Sequence, residues 1–475
     1  MNEKSPNESS VATKSNSKTP EKIPLLVFFS FAFGDLFIEL FVAAFGVRVF
    51  DFFENEVGLA TGLIALAFIL YAVWNMINDP LIGYIADKPR SFWRRYGKRF
   101  LWIIAGGIGT SLSFLLIFAV PELDPNTDWL FIFLWLLSTI CLFDLFFSTF
   151  DTNYNGLIPD KFRKNDQRLR LSSFEVALGI FGTVLGAVVP PMIIVYGNRS
   201  SFITMGIIFS IIGVVLIILQ IYGIREDKSM IERHFEVYEN MERVSFFKLI
   251  KICVKQRSFI AYLILFTAYQ ATIALLLGSI PYLVRFILKE EAIIESYILI
   301  GYILAGLVSV PIWAKLAMKK SNKKIFLTGG FILSIVTLPF LFVDTFIGAL
   351  ITAAFVGVGL IGFWLMTNPI LADVVDEAIV ENGFRQEGFY MGVRVFFARI
   401  ALIIQALTFA LIHILTGFEP GSATQTPLAI LGLRIQMAIV PSILMIAGLL
   451  VFWKLYDLTP EKTSIIKAKL EELNL

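Results

Sequence analysis

Apolar runs of about 20 residues, the length a helix needs to cross a bilayer, recur along almost the whole chain and are separated by short polar stretches. Counting runs and breaks predicts twelve membrane-spanning helices, near 24–50, 57–86, 100–120, 128–157, 170–196, 201–223, 258–287, 293–317, 325–343, 346–374, 388–416 and 426–455. The connections after spans two, four, six and eight hold most of the Lys and Arg. The intervening ones are short and often acidic, as with Asp51, Glu54 and Glu56, or Glu122, Asp124 and Asp128. The positive-inside bias then predicts that the basic connections and both termini are cytoplasmic and that the protein sits in the cell membrane. A mostly acidic loop, predicted over 375–387, departs from that pattern.

The pattern divides the chain into a polar N-terminal tail (1–22), six spans within 23–223, a linker (224–257), six more within 258–456 and a C-terminal tail (457–475). The tail is rich in Ser, Lys and Asn and lacks an apolar core, so it reads as disordered and not as a cleaved signal. The linker mixes charges with Ile, Phe and Val at helical spacing, which predicts an amphipathic helix on the cytoplasmic face. The halves also echo one another. Span two reaches Pro80 and leaves through a basic loop, as span eight does after Pro311; spans four and ten each end on a polar, Pro-containing stretch, NYNGLIPD and TNPILADVVD. Such a repeat predicts a carrier with its solute bound between the halves near mid-membrane.

Composition agrees. Of 475 residues 57% are hydrophobic and 16% charged, and the mean hydropathy is +0.76, which leaves no room for a soluble multidomain protein. The net charge of +2 is spread over topological loops and suits no nucleic-acid partner. Two cysteines, Cys141 and Cys253, give no disulfide framework, and two histidines, His234 and His413, belong to no metal-ligand spacing. His413, alone near a span end, reads as interfacial. Nothing resembles HExxH or GxSxG, so an enzyme is not expected. The sequon at Asn198 falls in a very short outer loop.

Polar residues inside the apolar spans carry the candidate chemistry. In 71–102 an apolar helix bears Asn75, Asn78 and Asp79, meets Pro80 and exits into Asp87, Lys88, Arg90, Arg94, Arg95, Lys98 and Arg99. Asn75 and Asp79 lie one turn apart and can serve one site. Span one carries Asp35 and Glu39; span four carries Asp144, Ser148, Asp151 and Asn155 as one stripe; span five opens with Glu175; span eleven carries Arg394 and Arg399. At roughly 2.5–3.5 kcal/mol for a charge at helix centre, Glu39, Asp79, Asp151 and Arg399 would together cost about 10–14 kcal/mol facing lipid, so they are expected to share a wet interior. Asp144 is expected nearer the outer surface and solvated. Trp74, beside Asp79, can stack on a ligand. Asp87, Arg90 and Arg95 can form a cytoplasmic charge latch, and gating is also assigned to Asp35.

NDPLIGYIAD followed by RYGKRFLW resembles the helix-two signature of the glycoside–pentoside–hexuronide:cation symporters, the melibiose-carrier branch of the major facilitator superfamily. FAFGD at 31–35, EVGLATGL at 56–63, GLIPD with Arg168 nine residues after Pro159, ADVVDEA at 372–378, and LGLR…P…YDLTPEK from 431 to 462 agree in order and spacing. The resemblance implies an all-α membrane protein of twelve helices in two pseudo-symmetric six-helix bundles, working as a monomer. It adds Arg168 and Asp373 to the gating set. It implies that Asp79, Asn75 and Asp151 form the coupling-cation site and that Glu39, Asp151, Trp74, Asn155, Glu175 and Arg399 bind the solute. Two positions depart from the branch. Asn75 replaces the first acid of the helix-two pair, which favours a proton over sodium at Asp79 and Asp151, since a proton needs one carboxylate and sodium several oxygens. Glu175 replaces an Arg, which disfavours acidic sugars.

The expected function is secondary active transport, a symport of a sugar or glycoside with a cation, by alternating access and without a cofactor. A lysolipid or other amphiphile carrier on the same scaffold, and a non-transporting membrane sensor, are the alternatives.

Overall fold

The computed structural model describes residues 23–87, 93–227, 230–231, 256–382 and 387–472. Its helices are α1 (Leu25–Asp51), α2 (Thr61–Asp87), α3 (Phe100–Phe118), α4 (Trp129–Lys161), α5 (Asn165–Ile193), α6 (Arg199–Ile224), α7 (Arg257–Tyr282), α8 (Ile293–Lys319), α9 (Asn322–Val336), α10 (Phe346–Asn382), α11 (Glu387–Thr416), α12 (Pro427–Leu455) and α13 (Pro460–Glu472). The first twelve are long and apolar enough to cross a membrane. Large apolar side chains such as Ile77, Val308, Ile351 and Leu415 point outward and are more than half exposed, as a lipid-facing surface requires. The N-terminal tail, Arg90, Cys253 and most of the 224–257 linker lie outside the described residues, as do the side chains of Asp87 and Arg94.

Pairings in the first six helices recur six helices later. α1 packs on α5 and α6, α2 on α4, and α3 on α4 and α6; α7 packs on α11 and α12, α8 on α10, and α9 on α10 and α12. Contacts between the sets obey the same exchange, with α2 against α11, α5 against α8, and α1 against α7. The extensions of α1 and α7 match as well: each unwinds into a π-helical turn, Phe52–Glu56 and Leu283–Leu288. Such wide turns re-aim side chains at helix ends, and these carry Glu54, Glu56 and Arg285.

Two elements differ from expectation. The predicted acidic loop 375–387 is helical as far as Asn382, because Val374, Val375, Ala378 and Ile379 are buried and continue the apolar face of α10. The predicted C-terminal tail holds α13, which docks through Lys462 on Glu377 (2.6 Å) and on Asp457 (2.9 Å).

Closeness of α1 to α5 positions the polar residues of both. A Cβ on Gly182 would stand 2.5 Å from the Leu36 carbonyl oxygen, and one on Gly186 would strike the Leu40 carbonyl. Only glycine lets these backbones approach so far.

Candidate functional site

On α2, Asn75, Asn78 and Asp79 occupy one turn and face α4. Asn75 donates its amide to one Asp144 carboxylate oxygen, and Asn78 donates to the other at 3.1 Å and to the Asp144 carbonyl at 3.3 Å. Asp144 and both asparagines are almost fully buried. Solvation of Asp144 near the outer surface is therefore corrected: a buried carboxylate needs donors, and α2 supplies two. One turn further along α4, Ser148 donates to Asp79 at 2.5 Å.

Asp79 also reaches across the molecule. Its second oxygen lies 3.5 Å from Nη2 of Arg399 on α11, an ion pair joining the two helix sets where each partner is about 30% exposed. The carboxylates acting on Arg399 are those of Asp79, Asp144 and Asp151. Asp151, half-buried on the same face of α4, accepts the Asn155 amide at 2.8 Å. Asp35 and Glu39 on α1 meet Glu175 on α5: Asp35 feels the charges of Glu39, Glu175 and Asp151, Thr183 donates to Glu39 at 3.0 Å, and Tyr154 donates to Glu175 at 3.0 Å. Asp35 lies against Gly179, where any side chain would displace it. Trp74, part-buried on α2, has an indole N–H without a hydrogen-bond partner among the described residues.

The acids of α1, α4 and α5 thus stand within electrostatic reach of one another, and those of α2 and α4 within reach of Arg399. Asp35, Glu39, Asp151, Glu175 and Arg399 are half-buried and Asn155 exposed. Arg394 donates to Asn368 at 2.8 Å within the facing helix set.

The end away from the chain termini is closed. Arg48 of α1 forms a bidentate pair with Glu295 of α8, both fully buried, and Tyr196 donates to the same carboxylate. Glu56 pairs with Arg285 at 2.5 Å, Glu54 accepts from Tyr282 at 2.5 Å and stands 2.9 Å from Nδ1 of His413, and Phe50 packs edge-on against Phe409. Sequence reasoning missed this cluster and placed Asp51, Glu54 and Glu56 in a short acidic connection. His413 as an interfacial residue is also corrected: it is buried, because the π-helical turn carries Glu54 into the seam beside it.

Of the residues assigned to gating, Arg168 donates to the Phe162 carbonyl at 2.8 Å in its own helix set, Asp373 accepts from Asn322 at 3.0 Å in the other, and Arg95 is exposed with its guanidinium 5.1 Å from the Tyr96 ring.

Residues 30–460 match the family described as MFS/sugar transport protein. The chain belongs to that family. This MFS chain is therefore a multi-pass membrane transporter of the symporter type and not an enzyme. It is 23% identical over 439 residues to a sodium-dependent lysophosphatidylcholine symporter of Xenopus tropicalis, covering 84% of this chain and 81% of that protein. It is 23% identical over 433 residues to a lactose permease of Lactobacillus delbrueckii, covering 84% of this chain and 64% of that longer protein. Its fold is similar to that of a bacterial homologue of the lysosomal transporter Spinster in an inward-facing, unoccupied conformation, with TM-score 0.60, 14% identity and coverage of 92% of this chain and 98% of that one. A POT family transporter in complex with 5-aminolevulinic acid is equally similar, with TM-score 0.60, 13% identity and coverage of 91% and 96%.

Proposed function

We propose that this MFS symporter moves a neutral sugar or glycoside with a proton by alternating access. In this reading it resides in the cell membrane as a monomer with both termini cytoplasmic, and the six-helix sets within 23–223 and 258–456 rock about the bound solute. The observation that carries the reading is the Asp79–Arg399 pair, which joins the two sets across the polar faces of α2 and α11. With the far end closed, Arg399 occupies the carboxylate that the coupling ion would need. When the far end opens, α2 and α11 part, Asp79 loses its guanidinium and takes a proton. Protonation cancels the charge that holds Arg399, so ion and guanidinium alternate on one carboxylate.

A proton suits this exchange better than sodium does. Asp144 brings a second carboxylate to the cluster, yet each of its oxygens already accepts an amide from Asn75 or Asn78. Asp79 is the carboxylate with an exchangeable partner. Glu39, Asp151 and Glu175, with Asn155 and Trp74 beside them, supply acceptors, a donor and a ring for a polyhydroxylated solute, while Arg399 turns between Asp79 and the Asp151 side of the cavity. The relatives favour a second reading, an amphiphile with a phosphocholine-like head.

Purified protein in proteoliposomes, given a sugar panel that includes lactose and, separately, lysophosphatidylcholine under imposed proton or sodium gradients, tests both. The expected result is sugar uptake driven by the proton gradient and lost in Asp79→Asn. Sodium-driven uptake would replace the ion, and lysophosphatidylcholine movement without sugar uptake would replace the solute.

A further inference from the structure

We infer that the Glu54–His413 pair is a second proton-binding site, distinct from Asp79, and that its proton holds the far end of the carrier shut. The pair spans the seam, Glu54 on the π-helical extension of α1 and His413 on α11, with Nδ1 and Oε1 at 2.9 Å and both side chains at most 1% exposed.

Three observations place a proton there. The first is charge. At the closed end the carboxylates of Asp51, Glu54, Glu56 and Glu295 meet the guanidiniums of Arg48 and Arg285, and Arg199 donates to the carbonyls of Glu56 and Val57. Arg48 serves Glu295 and Asp51, Arg285 serves Glu56, and Arg199 donates to backbone carbonyls, so among the described residues of this cluster the acid with no arginine within ion-pair distance is Glu54. A proton on the pair compensates the Glu54 charge; without it that buried charge stands unpaired, which is costly. The second is the acceptor load on Glu54, which takes hydroxyl bonds from Thr61 and Tyr282 besides His413. The third is the imidazole's surroundings. Phe418 stacks on it at 4.4 Å, Phe409 lies at 5.6 Å and Tyr282 at 5.4 Å, an aromatic cage that favours the cationic ring. The titratable groups facing His413 are Glu54 from the α1 extension and Tyr282 from α7, with Asp51 and Arg285 also acting on that tyrosine.

Opening this end separates α1 from α11 and hydrates both partners. The proton that the buried pair holds is then released, so this site binds one proton more in the closed state than in the open one. Taken alone, it makes the closed-to-open ratio fall by up to about tenfold per pH unit wherever that release occurs. The site requires only that the far end opens during the cycle; where Asp79 takes a proton on opening, as proposed above, that uptake offsets the release here, and Asp79→Asn reads the two apart.

Spin labels at Glu122→Cys and Glu290→Cys, exposed positions in the two helix sets at that end, test it in full-length protein in lipid nanodiscs with Cys141→Ser and Cys253→Ser. Electron–electron distances are measured at about pH 6 and about pH 8.5, on either side of the ordinary histidine value. The longer-distance population should grow with pH in an Asp79→Asn background, where no proton is taken up at that position on opening. His413→Gln and Glu54→Gln should each flatten the response, and Glu54→Gln decides if His413→Gln does not fold. Tyr282→Phe should move the balance toward open while keeping the slope. In the parent the slope should be shallower by the proton that Asp79 takes on opening, and equal to that of Asp79→Asn if Asp79 takes sodium, so the outcome is separable from the coupling assignment. Equal populations at both pH values in the Asp79→Asn background, or a slope there that survives His413→Gln or Glu54→Gln, would overturn the inference.

Discussion

Glu295→Gln puts the closed end to a quantitative test. Arg48 and Glu295 are fully buried and doubly bonded, and the nearest other carboxylate, Asp51, is 3.8 Å from the guanidinium. Removing one partner of a buried pair costs about 3–5 kcal/mol, because the other charge is left without compensation. That cost falls on the closed conformation, since opening gives Arg48 water, so it shifts a conformational balance and leaves folding intact. At about 1.4 kcal/mol per factor of ten, the closed-to-open ratio should fall by roughly 100-fold to a few thousand-fold. Gln keeps the length of the side chain and one acceptor, which points to the lower figure. Ala406 on α11, 1% exposed and packed into the seam, is a suitable reporter. In a cysteine-free background Ala406→Cys should react with an impermeant maleimide from the closed side far faster once Glu295→Gln is added. Arg48→Met with Glu295→Leu, which removes both charges, should restore most of the protection. Labelling unchanged by Glu295→Gln would refute the reasoning that a desolvated ion pair holds this end together.

Asp79→Asn should abolish uphill accumulation while leaving downhill exchange of the same solute, a separation that counterflow measurements read directly. Gly182→Ala should lower the melting temperature, since the added methyl would press on the Leu36 carbonyl at 2.5 Å and overpacking of this kind costs about 1–3 kcal/mol. Gly392→Ala on α11, with nothing within 4 Å of the added carbon, should be neutral or stabilising by up to about 1 kcal/mol. Burial pushes the Asp457 carboxyl up, but bonds from Lys462 and Ser258 outweigh it and hold the group below the ordinary carboxylate value. A depressed carboxyl stabilises the fold above its unfolded value and loses that contribution as pH falls through the folded one. Docking of α13 should therefore survive from neutral pH to about pH 4 and weaken below it. Hydrogen exchange of Pro460–Glu472 checks this; loss of protection between about pH 7 and pH 5 would contradict it.

The spans were legible in the sequence because membrane helices are written in length and apolarity, and the repeat because Pro80 and Pro311 mark matching helix ends. Convergence of Glu39, Asp79 and Asp151 followed from the cost of charges in lipid. What stayed hidden has physical causes. Asp144 seemed solvated from its depth alone, and nothing in its spacing revealed that two asparagines of α2 would cap it. The closed end was unreadable because Asp51, Glu54 and Glu56 lie in a polar stretch of loop-like composition; the π-helical turn that carries Glu54 and Glu56 leaves no periodicity, and their partners His413 and Arg285 are hundreds of residues away. A sharper signal existed in Arg48, a lone arginine at the end of an apolar span, which required a distant acid. The latch expected from Asp87 and Arg90 rests on side chains outside the described residues, and among the described residues the ion pairs that join the halves, Asp79–Arg399 apart, gather at the other end.

Asn155→Cys offers the most direct test of the central claim, that the polar faces of α1, α2, α4, α5 and α11 share one aqueous cavity open on the side of the termini. In a cysteine-free background, the labelling rate with an impermeant maleimide is compared between sealed vesicles of opposite orientation. Rapid labelling from the side of the termini, with protection from the opposite side, is the predicted result. Slow labelling from both sides, with rapid reaction toward a lipid-dissolved reagent, would place Asn155 against the bilayer and contradict the account.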